Sequence, residues 1–420
     1  MTVRYEPFSP DVRDDPYPPY ALLREQAPVY FAAEAKAYCV SRYDDVRAVL
    51  LDPRTFSSDA MRTMLMGAPP GAADPAAVAR MIAIATALPF PPEAVVAARS
   101  VIALDPPQHG PIRSLVNRGF TPRRIAAWEP RIRAIAAECM DAVRVRPDFD
   151  LIADVGVPLP VQIIAEMLGV EPERRADFKH WSDLLIAGTS GSGRARDPVA
   201  SGLAPAMAAI CTYVQSIAAQ RRNALGDDLV SVLLEAQDGE VALTDAELAL
   251  FVMLLLGAGN ETTTNLIGNA TNALLRHPEQ IERVRGDRSL LPGLVEEALR
   301  WDSPVQFVFR RTTREVELSG VAIPANQHVI ALIGSANRDE RQFGPDAAAF
   351  DVTREPQGHL AFGLGNHFCL GAALARLEAR VALDVLLDEL PRLERCSSKV
   401  EYIDSFLVRG PSTLPLRRAA

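Results

Sequence analysis

The sequence is poor in the residues that build disulfide frameworks and metal clusters. Its five cysteines are dispersed over 420 residues without a C-x-x-C pair, which predicts reduced thiols and no disulfide framework. Its six histidines form no H-E-x-x-H or H-x-x-E-H pair, so a zinc hydrolase is disfavoured. A net charge of -9 argues against general nucleic-acid binding.

Long apolar runs are also missing. The longest, Leu248 to Gly259, is too short to cross a bilayer, which needs about 20 residues. The first residues, Met-Thr-Val-Arg-Tyr-Glu-Pro, lack the apolar stretch of a secretory signal. These features predict a cytoplasmic protein without a membrane anchor. Length alone would suggest two or three domains.

One stretch concentrates unusual residues, His359-Leu-Ala-Phe-Gly-Leu-Gly-Asn-His-Phe-Cys-Leu-Gly371. Its glycines allow backbone conformations, or a close approach to a flat ligand, that side chains would block. An alanine- and leucine-rich run from Leu370 to Arg380 predicts a helix directly after Cys369. A helix N-terminus favours the thiolate, which is the form of cysteine that binds metal.

Two simpler interpretations of this stretch stay open on the residues alone. A lone cysteine is more often a small buried hydrophobic residue than a ligand. A glycine-rich turn before a helix can also bind phosphate, but neither G-x-G-x-x-G nor Gly-Lys-Ser/Thr is present in it.

The composite pattern Phe-x-x-Gly-x-His-x-Cys-x-Gly, residues 362–371, resembles the haem-binding loop of the cytochrome P450 monooxygenases. The resemblance implies that Cys369 is the axial thiolate on the iron of haem b, a ligand that favours O–O cleavage. Further haem contacts implied from this loop are Phe362, Gly363, His367 and Gly371.

A long helix is predicted after a capping box in which Thr244 precedes Glu247 by three residues, and its pattern continues to Arg276. The middle of the helix has the sequence Gly257-Ala-Gly-Asn-Glu-Thr-Thr-Thr264. Each of its two glycines lowers helix stability by about 1 kcal/mol. A carboxyl group beside a hydroxyl group at such a break suits proton delivery to a bound ligand. The alternative is a helix that leaves the core there, with Glu261 in water.

This segment resembles the Ala-Gly-x-Glu/Asp-Thr motif of the same family. By that resemblance Thr262 stabilises bound dioxygen and Glu261 supplies protons. The resemblance also implies that Leu254, Gly257 and Ala258 face the substrate, with Ala258 against the haem.

Leu104-Asp-Pro-Pro-Gln-His-Gly-Pro-Ile-Arg113 is, taken alone, a turn leading into a helix. It resembles the family's Asp-Pro-Pro-Glu-His-Thr-x-x-Arg, which implies that His109 and Arg113 bind haem propionates. Gly110-Pro111 departs from the usual Thr-Arg pair and puts the start of the helix in question. Arg310, or its neighbour Arg311, is implied as a further propionate ligand.

Glu297 and Arg300 lie three residues apart in a helix predicted from Leu291 to Trp301. Such pairs are usually exposed and contribute less than about 1 kcal/mol. Their resemblance to the family's E-x-x-R implies instead a buried structural pair. Pocket candidates implied beyond this helix are Val305, Gln306, Val308, Leu407 and Val408.

Three segments carry weaker signals. Residues 57–100, rich in methionine and proline, predict either an apolar lid over the substrate or a solvent loop with one buried helix from Pro75 to Leu88. Residues 1–20 predict an irregular arm, and Gly188 to Arg196 a flexible loop.

The resemblance extends over almost the whole chain and implies one mostly α-helical domain, residues 1–420, with small β-sheets (α+β). It implies a haem-thiolate monooxygenase that inserts one atom of dioxygen into a hydrophobic small molecule by hydroxylation, epoxidation or demethylation. Electrons would come from NAD(P)H through a reductase and a soluble ferredoxin, since no flavin or iron–sulfur segment is fused. An acidic ferredoxin is expected to dock on basic residues of the haem face nearest Cys369.

Two alternatives remain from this reasoning. One is a family member that uses peroxide directly or acts as an isomerase or reductase, which the Glu261–Thr262 pair disfavours. The other is a haem-binding sensor or carrier without turnover.

Overall fold

The computed structural model describes residues 3–61, 75–189, 198–236, 242–405 and 407–419. It confirms the predicted fold class, a mostly helical protein with small sheets. The methionine-rich part of the candidate lid, 62–74, and the flexible loop from 190 onward lie outside the described residues. Within the described ranges no helix is both long and apolar enough to cross a bilayer.

Helices account for most of the described chain. Those before residue 200 are α1 (Pro10–Asp14), α2 (Tyr17–Gln26), α3 (Tyr43–Leu51), α4 (Pro75–Ala87), α5 (Pro92–Ala97), α6 (His109–Asn117), α7 (Pro122–Ala127), α8 (Glu129–Arg144), α9 (Pro158–Met167) and α10 (Arg175–Thr189). Those after it are α11 (Leu203–Asn223), α12 (Leu229–Glu235), α13 (Asp245–Arg276), α14 (Pro278–Gly286), α15 (Leu291–Trp301), α16 (Ile333–Ala336), α17 (Glu340–Phe343) and α18 (Ala372–Leu386).

The strands form three small sheets. They are β1 (Val29–Ala32), β2 (Ala37–Val40), β3 (Phe56–Ser57), β4 (Asp148–Asp150), β5 (Val308–Thr312), β6 (Val316–Leu318), β7 (Val321–Ile323), β8 (His328–Ala331), β9 (Leu393–Arg395) and β10 (Pro415–Arg418). The largest sheet has the order β1-β2-β8-β5-β3, in which β2 and β8 are parallel and the other neighbours are antiparallel. The others are β4-β10-β9 and the hairpin β6-β7.

The chain divides into two compact units. The first comprises Met1–Ser57, Ala127–Leu159 and Thr262–Ala420, and the second comprises Ser58–Ala126 and Pro160–Glu261. The first unit holds all three sheets, with α3 and the largest sheet packed around one apolar cluster that includes Val46, Val329 and Leu360. In the second unit α11 packs against α4, α10 and α12. The single-domain assignment of the whole chain stays a prediction.

Helix α13 has the limits that the sequence predicts. The Thr244 N–H donates to Glu247 Oε2 at 2.9 Å, and the Glu247 N–H donates to Thr244 Oγ1 at 3.2 Å, so the capping box is complete. The helix runs for 32 residues and ends before His277-Pro278. At 1.5 Å per residue it is roughly 48 Å long and supplies residues to both units.

The N-terminal arm differs from its prediction as an irregular segment. It contains α1 and the first turn of α2. Ser9 caps α1 by accepting a hydrogen bond from the Val12 N–H at 3.4 Å. The prolines stand in the first turns, where a missing N–H costs nothing, so they start these helices instead of preventing them.

Candidate functional site

The loop before Cys369 is folded back on itself in the first unit. Gly363 and Gly365 have φ values of +68° and +70°, a conformation that side chains other than glycine rarely adopt. The Cys369 N–H donates to the Phe362 carbonyl at 2.8 Å and closes the loop. Helix α18 begins three residues later at Ala372, with Gly371 as its N-cap residue. Cys369 is therefore held at a helix N-terminus, as predicted from the sequence.

The residues of this loop fit a flat group that is bound through a thiolate. Cys369 is in no disulfide and is partly exposed, so it differs from Cys39, Cys139 and Cys211, which are buried and whose pKa values burial raises. A side chain at Gly371 would meet no atom within 4 Å, which leaves space beside the backbone. The thiol, the open backbone and the aromatic ring of Phe362 together suit a planar apolar ligand with a metal centre.

The middle of α13 is open on one side, and the helix does not leave the core there. Ala258 and Gly259 are exposed and Glu261 and Thr262 are half-buried, but residues 263–274 are buried again. A side chain at Gly257 or Gly259 would have no neighbour within 4 Å. Thr264 donates its hydroxyl proton to the Gly156 carbonyl at 2.8 Å, which holds the next turn in the first unit. The exposure of Glu261 and Thr262 is therefore a local opening along a buried helix.

Leu254 lines an apolar cleft in the second unit. The lining includes Val101, Ile112, Val116, Leu250, Phe251 and Leu254. Charged residues occur at its edge, where Arg99 binds Glu247 through Nε–Oε1 at 2.6 Å and Nη2–Oε2 at 2.9 Å. Burial favours the neutral carboxyl, but hydrogen bonds from Arg99 and Thr244 outweigh it and lower the pKa of Glu247 to about 2. The cleft therefore combines apolar walls with an ion pair that is already satisfied.

His109 and Arg113 lie one turn apart on α6 in the second unit. The helix begins at His109 despite Gly110-Pro111, since proline is tolerated in a first turn. His109 is 3% exposed, and burial, followed by the charge of Arg113, lowers its pKa, while Asp105 opposes the shift. Arg113 Nε donates to Asn117 Oδ1 at 3.0 Å. Two donors for an anion thus share one face of this helix.

The structure separates Arg310 from its neighbour Arg311. Arg310 is buried on β5, and its Nη1 donates to the Phe309 carbonyl at 2.8 Å. Arg311 lies on the other face of the strand, half-buried, and donates to Asn326 Oδ1 at 2.9 Å. Of the two candidates, Arg310 is the one that the fold holds inside the first unit.

Glu297 and Arg300 form a fully buried pair, and neither side chain is exposed. Arg300 Nε and Nη2 each donate to Glu297 at 2.7 Å. The remaining Arg300 donors bind the main-chain oxygens of Asn337, Ala347 and Ala349 at 3.0, 2.7 and 3.0 Å. The Asp351 N–H donates to Glu297 Oε1 at 3.0 Å. The pair therefore links α15 to the segments before the cysteine loop, and it has the geometry that the E-x-x-R resemblance implies.

Two segments that carry pocket candidates meet in the first unit. Val305 and Val408 form an isolated antiparallel bridge, and the Gln306 N–H donates to the Leu407 carbonyl at 3.0 Å. Val305, Val308 and Leu407 are half-buried. The structure thus brings together four of the five residues that the sequence assigned to this part of the pocket.

The side chain of Gln306 has several protein contacts of its own. Its side chain is buried, donates to the Ser303 carbonyl at 2.8 Å and accepts from the Tyr20 hydroxyl at 3.3 Å. It also packs so closely on Gly334 that a side chain there would lie 2.3 Å from Gln306 Oε1. These contacts hold the amide inside the protein framework, and the pocket role of Gln306 stays a prediction.

The sequence reasoning missed two groups near the cysteine loop. Glu296, Arg376 and His359 form a cluster of ion pairs at that loop. Glu378, on α18, is 3% exposed, and burial raises its pKa to about 8. The charge of Glu378 within the apolar pattern of α18 was a signal that could have identified this residue. No sequence spacing connects Glu296 with His359 or Arg376, which lie 63 and 80 positions later in the chain.

Comparisons with known proteins agree with this geometry. Residues 203–401 match the family model described as Cytochrome P450. Cytochrome P450 107B1 of Saccharopolyspora erythraea is 39% identical over 408 residues, which cover 96% of this chain and 94% of that protein.

Solved structures match over the same length. Cytochrome P450 CYP109Q5 from Chondromyces apiculatus has a TM-score of 0.86 and 41% identity, covering 100% of this chain and 99% of that one. CYP109E1 from Bacillus megaterium, solved in complex with corticosterone, has a TM-score of 0.83 and 36% identity, covering 98% of this chain and 100% of that one.

Proposed function

Because this chain belongs to the cytochrome P450 family, and is therefore a haem-thiolate monooxygenase, we propose that Cys369 is its iron ligand and haem b its cofactor. The partly exposed thiol at the start of α18 is the observation that carries this assignment. The sequence contains no C-x-x-C-H for covalent attachment, which favours the noncovalently bound haem b.

The remaining haem contacts follow from the residues described above. Arg310 and Arg113 would neutralise the propionates and His109 would donate a hydrogen bond to one of them, since β5 holds Arg310 and α6 holds the other two as donors. Phe362, Gly363, His367 and Gly371 would contact the ring from the cysteine loop, and Ala258 from α13. When bound, the haem supplies dioxygen activation and oxygen transfer.

Glu261 and Thr262 would control protons. Both side chains are half-buried at the open part of α13, where a carboxyl group can exchange protons with solvent and a hydroxyl group can pass them on. The Thr262 hydroxyl would pass a proton to the oxygen that is being reduced. Glu261 would then return a proton to that hydroxyl.

The substrate would be a hydrophobic small molecule. The apolar cleft at Leu254, the open backbone at Gly257 and the half-buried Val305 and Val308 support this class. A relative with 36% identity binds corticosterone, a rigid apolar molecule, which favours a compound of that size and polarity. Hydroxylation would convert R–H, dioxygen, NAD(P)H and a proton into R–OH, water and NAD(P)+, and epoxidation or demethylation would have the same electron balance.

Electrons would arrive through a soluble ferredoxin and its reductase. Arginines on α8 and α18 support this docking: Arg133 and Arg380 are partly exposed on the surface that these packed helices form. Asp384 binds Arg133 at 2.8 Å and Glu129 binds Arg380 at 2.9 Å. Reduction by an acidic ferredoxin should therefore slow as ionic strength rises.

The deciding experiment is the absorption spectrum of the dithionite-reduced protein under carbon monoxide. A strongly red-shifted Soret band is expected from the native protein and from Cys396→Ala, which removes an exposed thiol that is likewise in no disulfide. The band should be lost in Cys369→Ala. A band at the position of histidine-ligated haem, or loss of the red-shifted band in the Cys396 variant alone, would refute the assignment of Cys369.

Turnover is tested separately. Substrate, NAD(P)H, ferredoxin and reductase should give an oxidised product and steady NAD(P)H consumption. Spectral change on ligand binding without product would indicate a sensor or carrier. Product formation only with added peroxide would indicate a peroxide-using enzyme.

A further inference from the structure

A cluster of three charged or polar side chains lies against the cysteine loop and has no role in the chemistry above. Glu296, on α15, binds Arg376 of α18 in a bidentate pair, with Nε–Oε1 at 2.7 Å and Nη2–Oε2 at 2.9 Å. His359 Nε2 lies 3.0 Å from Glu296 Oε2. We call Glu296, Arg376 and His359 the Glu296 clamp. It joins two helices to the first residue of the loop.

The clamp reaches the loop by two contacts. The guanidinium carbon of Arg376 lies 4.5 Å from the ring centroid of Phe362, which is within the range of a cation–π interaction. His359 Nδ1 accepts a hydrogen bond from the Ala361 N–H at 3.3 Å. The clamp therefore fixes both the ring of Phe362 and the peptide that precedes it.

Phe362 is in turn bonded to the cysteine. Its carbonyl accepts the Cys369 N–H at 2.8 Å. A continuous series of contacts thus runs from Glu296 through Arg376 and Phe362 to Cys369. The neighbouring Glu297 lies outside this series, since its carboxylate is taken by Arg300 and by the Asp351 N–H.

The Glu296 carboxyl group is ionised at neutral pH. Burial opposes ionisation of Glu296, but the hydrogen bonds from His359 and Arg376 outweigh it and lower its pKa to about 2. Since Nδ1 of His359 accepts a bond from the main chain, the proton that faces Glu296 is on Nε2. A fork of two N–H donors is needed to bind both Glu296 oxygens at once, and arginine has that fork while lysine lacks it.

We propose that Glu296 is a positioning residue that holds Arg376 over Phe362 and so keeps the Cys369 thiolate on the haem iron. The inference rests on the proposed role of Cys369. When the Glu296 carboxylate is lost, Arg376 keeps its charge but loses both acceptors, and its guanidinium no longer stays over the ring. Phe362 then becomes more mobile, its hydrogen bond with Cys369 weakens, and the thiolate leaves the iron more readily.

The test follows the reduced carbon-monoxide complex over time, at a temperature well below unfolding. The rate at which the red-shifted Soret band converts to the band of haem without a thiolate is measured for the native protein and for Glu296→Gln. The variant should convert about fivefold faster or more, the factor for losing one charged hydrogen-bond pair. Arg376→Lys should behave similarly, since it retains the charge but not the fork.

The matched control is Glu282→Gln. Glu282 also binds an arginine with both oxygens, Arg285 Nη1 at 2.9 and 3.2 Å, but on α14 and away from the loop. Its conversion rate should equal that of the native protein. Equal rates in Glu296→Gln and Glu282→Gln, with a red-shifted band present in the native protein, would overturn this inference alone. A native protein without that band would overturn the assignment of Cys369 and this inference with it.

A double-mutant cycle tests the route. Phe362→Leu removes the ring on which Arg376 lies, so Glu296→Gln should add little to the conversion rate in that background. Full additivity of the two substitutions would refute the route through Phe362. A purely structural role of Glu296 would lower the melting temperature and leave the conversion rate unchanged, which would also refute the proposal.

Discussion

The amide nitrogen of Asn269 lies 3.0 Å from the main-chain oxygen of Asp302 and 3.1 Å from that of Arg409. The Arg409 Nε also donates to the Asp302 carboxylate at 3.0 Å. Asp302 precedes the segment of Val305, and Arg409 follows Val408, so the two pocket segments share one anchor on α13. Their spacing is therefore set by a side chain that stands outside the pocket candidates.

We predict that Asn269→Leu loosens both segments. Two buried carbonyls lose their donor, at a cost of roughly 1–3 kcal/mol. The melting temperature should fall, and binding of apolar ligands, measured by the spin-state shift, should weaken. Asn223→Leu is the control, since Asn223 is exposed and bonds only to the Ala219 carbonyl of its own helix. Equal melting temperatures for the two variants would contradict the prediction.

The buried pair of Glu297 and Arg300 should be essential for folding. Glu297→Gln leaves the Arg300 charge without its counter-ion inside the protein, at a cost of about 3–5 kcal/mol. Glu282→Gln breaks a pair of the same spacing on the surface and should cost less than about 1 kcal/mol. Thermal unfolding of the two variants measures how much each substitution lowers the free energy of unfolding. A similar decrease in both would show that burial does not matter here.

Two glycines of α13 should respond to alanine in opposite directions. Gly257→Ala adds a methyl group where no atom lies within 4 Å, so it should raise stability by roughly 0.5–1 kcal/mol through helix propensity. Gly268→Ala places the methyl group 2.7 Å from Ile152 Cδ1 and 3.2 Å from Pro411 Cδ, so it should lower stability by about 1–3 kcal/mol. Melting temperatures decide the signs. If Gly257 faces the substrate, the stabilised variant should also bind bulky ligands less well.

Glu378 should make stability depend on pH. Burial raises its folded pKa to about 8, above the value of 4.5 for an ordinary glutamate, so the folded state holds a proton that the unfolded state releases. This contribution is fully present below pH 4.5 and is lost as pH rises through 8. The melting temperature of Glu378→Gln should therefore equal that of the native protein near pH 4.5 and exceed it at pH 8. If the melting temperatures of the variant and the native protein differ by the same amount at both pH values, Glu378 does not titrate in this range.

Local signals predicted the elements around the site well. The capping box and His277-Pro278 mark the ends of α13, and a proline near the start helps define α15, because caps and prolines act within one turn. The helix after Cys369 followed from its alanines and leucines. The fold class and family came from the resemblance of three motifs, in their order along the chain, to those of the family.

Contacts between distant residues were not predictable in this way. The side chain of Gln306 was expected in the pocket, but Tyr20, which lies 286 residues earlier in the chain, binds it. Strand β8 ends at Ala331 and α16 begins at Ile333, because the chain turns there toward α2 and α3, which lie far away in the sequence. The Glu296 clamp likewise depends on three segments that no periodicity connects.

The register of β2 with β8 has a consequence for biosynthesis. Tyr38 pairs with Val329, so the parallel strands at the centre of the largest sheet cannot join until a ribosome has made more than three quarters of the chain. Strand β4 can pair only later still, since its partner for Phe149 is Leu416 in β10. The nascent first unit therefore leaves the ribosome with unpaired strand edges, and we expect it to depend on chaperones until translation is nearly complete.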